Sequence, residues 1–504
     1  MHRPPALMIQ GTCSNAGKSL LATAICRNLT LMGFRVRPFK AQNMSLNAFV
    51  ADDGEMGLAQ AIQARACGIS PDCRMNPLLL KPLGNATSEL ICLGKPHGTL
   101  TAKDFASFRP DLWSIVQKAY CSLAEEADIM VLEGAGSPAE INLREHDLVN
   151  MRMAHFAKAK VLLTCDIDRG GAFAALLGTM LLLQPDEQAL VSGFIINKFR
   201  GDSTLLTPAM EEIRRRTNRP FFGIIPWIDA VDIPDEDSVS LSALKTKRAA
   251  PPNTLDIAFI KLPHLSNAQD LDSLRKEADV SLRPIESPET FGCPDLVILP
   301  GSRNTMAAMR FLTLSGLDQA IHAYARENPQ HGMILGICCG MQLLGESIHD
   351  PFGMEEGCSI RGLNLLPLKT HLAKQKIQRK TQAISYPPLT PSPLPLFGQE
   401  MRYGQTSPSK EDILPLIRNE NGEVLGFGRM DHDTIPILGT SLHGLFDADA
   451  FRAQLLKRLR DARGLPNHKT RHYDISPSID RLAAIVDQAM PVKSLLALLG
   501  LQSS

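Results

Sequence analysis

The sequence predicts an α/β protein made of two doubly wound, parallel-sheet units joined by a short linker. Three observations predict it. Short apolar runs without polar alternation recur along the chain, as strands buried on both faces of a parallel sheet require. Helical stretches separate these runs, giving βαβ units and open sheets. A charged, proline-containing break, KTKRAAPPNT (245–254), interrupts the series and reads as a linker. The 504 residues exceed what one core usually serves, in keeping with two domains.

In the first unit the runs are ALMIQ (6–10), RVRPF (35–39), IMVLE (129–133), KVLLTCD (160–166), FIINK (194–198) and FFGIIP (221–226). In the second they are LDIAFIKLP (255–263), DLVILPG (295–301), MILGICC (333–339) and ILGTSLHG (437–444). ISYPPLTPSPLPLFG (384–398) is proline-rich and reads as a loop. Patterns such as FRAQLLKRLRDAR predict a helical tail over 451–504. The expected plan is 1–244, linker 245–254, 255–450 and tail 451–504.

Apolar residues make up 44% and charged residues 21%, an ordinary globular balance. Lys+Arg and Asp+Glu are equal at 53 each, so there is no electrostatic case for nucleic acid or an anionic membrane as partner. The 11 scattered cysteines contain no CxxC pair and fit a reduced, cytoplasmic setting rather than disulfides or zinc. The N-terminal MHRPPALMIQ offers no signal-type apolar core. The run GGAFAALLGTMLLLQ (170–184) is too short to span a bilayer and reads as a buried helix.

GTCSNAGKS (11–19) follows the first strand and precedes a helix. It departs from the G-x-x-x-x-G-K-[ST] phosphate loop, because Thr12 stands where the first glycine belongs and Gly11 comes one place early. Helix-start amides and the helix dipole would face an anion, Lys18 would supply a cation, and the Ser19 hydroxyl can ligate Mg²⁺. The alternative is a glycine-bearing turn. Glu133, at the carboxyl end of IMVLE, lies where such folds bind ligands and is a candidate Mg²⁺ partner. Asp53, in DDGEMG, is a weaker one. Asn197, ending FIINK, could contact a purine base or simply form a turn.

GICCGMQLLG (336–345) places two cysteines where a strand turns into a helix. A thiol on that turn is exposed to helix amides that lower its pKa, and the next amide can stabilise an oxyanion. A cysteine beside glycine can equally be core filling. His443, in GTSLHGLFD, ends another strand and could form the thiolate–imidazolium pair of thiol acyl transfer. In LPGSRNT (299–305), the Gly301 amide could complete an oxyanion hole.

GxCxGxQ-LLG with a later LHG resembles the class I glutamine amidotransferase domain. By that resemblance Cys338 is the nucleophile, His443 the general base, and Cys339 the residue whose amide joins Gly301 in the oxyanion hole. The Glu usual two residues beyond the His is replaced by Leu445. The cobyric acid synthase and cobyrinate diamide synthase group shares that departure. The first half resembles the dethiobiotin synthetase-type P-loop fold, whose loop carries the extra residue seen in GTCSNAGKS.

FKAQNMSLN (39–47), MNPLLLKP (75–82), EGAGSPAEINL (133–143), DIDRGGAFA (166–174), NKFRGD (197–202), GIIPW (223–227) and LPGSRNT all resemble cobyric acid synthases, over roughly residues 6–450. One departure is Arg402, in GQEMRYG (398–404), where the family usually has His.

The resemblance implies ATP- and glutamine-dependent amidation of the b, d, e and g carboxylates of adenosylcobyrinic acid a,c-diamide, with Mg²⁺. Thr12, Ser14, Asn15, Gly17, Lys18 and Ser19 would cradle the ATP phosphates, and Ser19 and Glu133 would hold the metal. The competing expectations are a cobyrinate a,c-diamide synthase, disfavoured by FKAQNMSLN and MNPLLLKP, and a P-loop switch fused to an inactive amidotransferase module.

Overall fold

Leu7, Met8 and Ile9 are completely buried, because the strand that carries them, Ala6–Gly11, lies inside a six-stranded parallel sheet. The strand order is Phe221–Pro226, Val191–Phe199, Lys160–Asp166, Ala6–Gly11, Ile129–Glu133, Val36–Phe39. These are the six runs read from the sequence. The computed structural model describes residues 3–502 apart from 53, 85, 230–231, 235, 237–249, 328–331 and 431–433. Chain order reverses on either side of Ala6–Gly11, so the crevice at its carboxyl end is the topological switch point where doubly wound sheets bind ligands. The phosphate loop opens there, and Glu133 and Asp166 end the two neighbouring strands.

In the second unit, parallel strands run in the order Val280–Ile285, Leu255–Ile260, Leu296–Leu299, Ile334–Ile337, Ile437–Thr440. Antiparallel strands Val424–Arg429, Leu414–Asn419 and Leu368–Ser385 extend the sheet, and Leu394–Pro408 pairs with the last of these. Cys338 and His443 follow the ends of adjacent parallel strands, which brings them together across a long stretch of sequence.

Three expectations need amendment. The proline-rich stretch 384–398 is not all loop, because Leu394 begins the strand Leu394–Pro408. That strand has one partner strand, so Pro395 removes no ladder bond on its free side. The helix in 170–184 spans Ala172–Leu182 and is only half buried, with Leu181 73% exposed, since a single face meets the sheet. The helical tail is no appendage. Its helix Ser476–Ala489 returns to the first unit, where Ile479, Leu482 and Val486 share a core with Leu21, Ile25 and Leu29 of the helix Lys18–Leu31. Asn28 caps this contact by donating to Ala483 O at 2.9 Å.

Of the expected linker, 245–249 lie outside the described residues, and 250–254 form neither helix nor strand. Among the described residues no helix is long and apolar enough to cross a membrane.

Candidate active site

The phosphate loop is shaped by two glycines. A Cβ at Gly11 would lie 2.9 Å from Cys13 O and 3.0 Å from Lys18 Nζ. Gly17 has φ +93°, and a Cβ there would meet Asn197 Nδ2 at 2.0 Å. Asn197 braces the loop by donating to Ala16 O at 2.8 Å. Lys198 adds bonds of 2.7 Å to Asn15 O and Asp166 Oδ2. Ser14 and Asn15 form the exposed crest, and Thr12 N donates to Thr164 O at 2.9 Å. Lys18 is buried, with Nζ 3.0 Å from Cys13 O and 3.1 Å from Gly136 O. Burial, then the neighbouring Lys40 charge, lowers its pKa.

Ser19 Oγ lies 2.8 Å from Glu133 Oε1. Three further groups converge there. Lys40 Nζ bonds Glu133 Oε1 at 2.8 Å and Glu236 Oε1 at 2.5 Å; Glu236 Oε2 lies 2.7 Å from Ser19 Oγ; Gln63 Nε2 donates to Glu133 Oε2 at 2.6 Å. Two carboxylates and a hydroxyl at a phosphate loop form a donor set suited to a hard cation such as Mg²⁺. Lys40 sits in FKAQNMSLN. Asp53 lies outside the described residues.

The second site rests on a strained turn. Cys338 has φ +53° and ψ −104° between the strand Ile334–Ile337 and the helix Cys339–Leu344. The helix packs directly back on the sheet, which explains the flanking glycines: a Cβ on Gly336 would lie 2.5 Å from the Gly340 backbone, and one on Gly340 1.8 Å from Leu299 O. Burial alone would push the Cys338 thiol up. The facing His443, with contributions from Arg402 and the Cys339 amide, holds it below its ordinary value. Burial and nearby Glu355 drive the Cys339 thiol well above its ordinary value. The two adjacent cysteines are thereby distinguished, and Cys338 is the one set up as a thiolate.

His443 is buried beside the Cys338 thiol and bonds Asp270 Oδ2 through Nδ1 at 2.7 Å, while the thiol itself donates to Met401 O at 3.7 Å. Burial disfavours its charge, but Asp270 and Cys338 outweigh burial and push its pKa up to about 10. Asp270 therefore occupies the role left open by Leu445. Sequence reasoning missed it because it comes from the turn Ala268–Leu271, between the strands Leu255–Ile260 and Val280–Ile285, far upstream of His443. Asn267 Nδ2 approaches His443 Nε2 at 3.3 Å from the same turn.

Gly301 abuts the histidine: a Cβ there would lie 3.1 Å from His443 Cε1. Arg402 is fixed by Glu400 Oε2 at 2.8 Å and Gly404 O at 2.6 Å, and lines the cavity above Cys338 together with Gln342, Arg303 and Glu355. Lys81 of the first unit reaches the same cavity.

The two units meet through specific bonds at this histidine turn. Ala268 N donates to Asn47 Oδ1 at 3.1 Å, Ala48 N to Asn267 Oδ1 at 3.2 Å, and Gln269 Nε2 to Ala48 O at 3.1 Å. A buried ionic cluster joins them as well, with Lys376 2.7 Å from Glu55 and Arg303 3.0 Å from Glu89.

Residues 7–241 match the family described as the CobQ/CobB/MinD/ParA nucleotide binding domain, and residues 256–451 match the CobB/CobQ-like glutamine amidotransferase domain. The cobyric acid synthase of Nitratidesulfovibrio vulgaris is 44% identical over 99% of this chain and 98% of its own length. That of Clostridium acetobutylicum is 40% identical over 98% and 99% respectively. That of Moorella thermoacetica is 43% identical over 99% and 98%. With a phosphate loop and a cysteine–histidine–aspartate chain in one polypeptide, and likeness of this extent along its whole length, the chain belongs to the cobyric acid synthase family.

Proposed function

We propose that this chain makes cobyric acid by amidating the b, d, e and g carboxylates of adenosylcobyrinic acid a,c-diamide, with ATP and glutamine as co-substrates. The observation that carries the reading is the thiolate-forming Cys338–His443–Asp270 chain in the same polypeptide as a Lys18–Ser19 phosphate loop. The geometry speaks against an inactive amidotransferase module, because a filler cysteine needs neither a strained turn nor a charged histidine.

Chemistry begins in the second unit. The Cys338 thiolate attacks the glutamine amide carbon, and the His443 imidazolium gives its proton to the departing nitrogen, releasing ammonia. Asp270 keeps the ring oriented and stabilises its charge. The amides of Cys339 and Gly301 are offered for the oxyanion. Water then hydrolyses the thioester to glutamate with His443 as base.

In the first unit a corrinoid carboxylate attacks the γ-phosphorus of ATP, giving an acyl phosphate and ADP. Ammonia displaces phosphate to leave the amide. Lys18 balances phosphate charge, and Gly17 with the start of the helix Lys18–Leu31 presents backbone amides to it. Ser19 and Glu133 would hold Mg²⁺, which supplies charge neutralisation on the phosphoryl group.

The test is mass spectrometry of adenosylcobyrinic acid a,c-diamide after incubation with the protein, MgATP and glutamine. Four successive replacements of OH by NH₂ are expected. Amidation of cobyrinic acid at two positions instead would move the assignment to the diamide synthase.

A further inference from the structure

Ser19 has one hydroxyl proton but two close carboxylates. Its Oγ is 2.8 Å from Glu133 Oε1 and 2.7 Å from Glu236 Oε2, and one O–H can donate to only one of them. Hydrogen bonding by Ser19 therefore cannot account for both contacts. Around Mg²⁺, octahedral oxygen ligands at roughly 2.0–2.1 Å lie about 2.9 Å from their neighbours. The Ser19 contacts are close to that spacing.

Gln63 is an independent sign of a missing donor. It is 1% exposed, and its Nε2 bonds Glu133 Oε2 at 2.6 Å. Its Oε1 is buried with no hydrogen-bond partner. A buried acceptor beside a carboxylate calls for a donor, and water on a metal ion supplies one. Glu236 is also not loosely draped over the loop. Its main-chain oxygen accepts from Ser45 Oγ at 2.7 Å, and Lys40 bridges it to Glu133 as a fixed counter-charge.

We infer that Glu236 is a third protein ligand, with Ser19 and Glu133, of the divalent cation that accompanies the nucleotide triphosphate. The inference rests on the reading of the phosphate loop as an ATP site. Glu236 comes after the last strand of the first unit, Phe221–Pro226, and its side chain reaches back to Ser19 of the phosphate loop.

The experiment compares the full-length wild type, Glu236→Gln and Glu133→Gln. Mn²⁺ binding is followed by electron paramagnetic resonance with a non-hydrolysable ATP analogue present, and binding of that analogue is measured separately in EDTA. Both variants should lose Mn²⁺ affinity on the order of tenfold or more, as removal of a charged ligand implies. Their metal-free nucleotide binding should stay within about twofold of wild type, which also reports an intact fold. Wild-type Mn²⁺ affinity in Glu236→Gln, with Glu133→Gln impaired, overturns the inference alone. Equal loss of binding in EDTA overturns it too, by making Glu236 a nucleotide or folding residue. A wild type that binds no nucleotide overturns the phosphate-loop reading itself.

Discussion

Asp270 Oδ2 sits 2.7 Å from His443 Nδ1 across a sequence separation of 173 residues. The Asp270 carboxylate also accepts from Gly444 N at 2.8 Å, so it holds both the ring and the backbone beside it. Asp270→Asn keeps the size of the side chain but removes its charge and favours the wrong ring tautomer. Glutaminase kcat should fall roughly 10²- to 10⁴-fold, the range for disabling the orienting acid of a triad. Amidation with high ammonium should persist. Glutamate release and corrinoid amidation measured side by side check this, and unchanged glutaminase activity would falsify the role given to Asp270.

Cys338→Ala should abolish glutamine-dependent amidation and leave the ammonium-dependent reaction. Cys339→Ala should keep both, because that thiol is buried with a strongly raised pKa. The reverse pattern would exchange the two assignments.

The charged pair predicts a pH signature. Folded His443 keeps its proton up to about pH 10, against 6.5 for an ordinary imidazole, so its contribution to stability is complete below pH 6.5 and fades as the pH rises through 10. The depressed Cys338 thiol has the opposite sign: its contribution is present above the ordinary thiol value and is lost as the pH falls through its folded value. Iodoacetamide should therefore modify Cys338 with an apparent pKa below that of a free thiol. In His443→Ala the profile should move up. An unmoved profile would mean that the imidazole does not control the thiol.

Lys18→Ala should stop amidation with either nitrogen source while glutamine hydrolysis continues. Its ammonium is buried among loop carbonyls, and Ala leaves the phosphate cradle without a cation. Retained ammonium-dependent amidation would remove Lys18 from phosphoryl transfer.

What the sequence reveals and what it hides divide along locality. The strands are legible because burial on both faces writes uninterrupted apolar runs such as LMI at 7–9. Cys338 is legible because its flanking glycines, Gly336 and Gly340, answer a steric demand a few residues long. Asp270 is hidden because its contact with His443 is created by the sheet, and no spacing rule links LSNAQDLD to SLHG. Glu236 is hidden in a polar stretch that resembles the linker after it. The strand starting at Leu394 is masked by prolines that only an edge position tolerates.

Asn47 joins the two units at the histidine turn. Its Oδ1 accepts from Ala268 N at 3.1 Å, and the next residue, Ala48, donates to Asn267 Oδ1 at 3.2 Å. The turn held by these bonds bears both Asn267 and Asp270 on His443. Asn47→Ala leaves the Ala268 amide without this acceptor in a buried setting, which costs about 1–3 kcal/mol locally and frees the turn to shift. A displacement of an ångström at a positioning residue can cost about 10²-fold in rate. Glutaminase kcat should thus drop by about 10- to 100-fold, with a smaller change in KM for glutamine, because Gln342, Arg303 and Glu355 line the cavity from outside the turn although Ser266 and Asn267 of the turn line it too. Steady-state glutaminase kinetics read the split, and ammonium-dependent amidation should stay at the wild-type rate. An equal fall in the ammonium-dependent rate would make Asn47 a support of the first unit rather than of the histidine in the second.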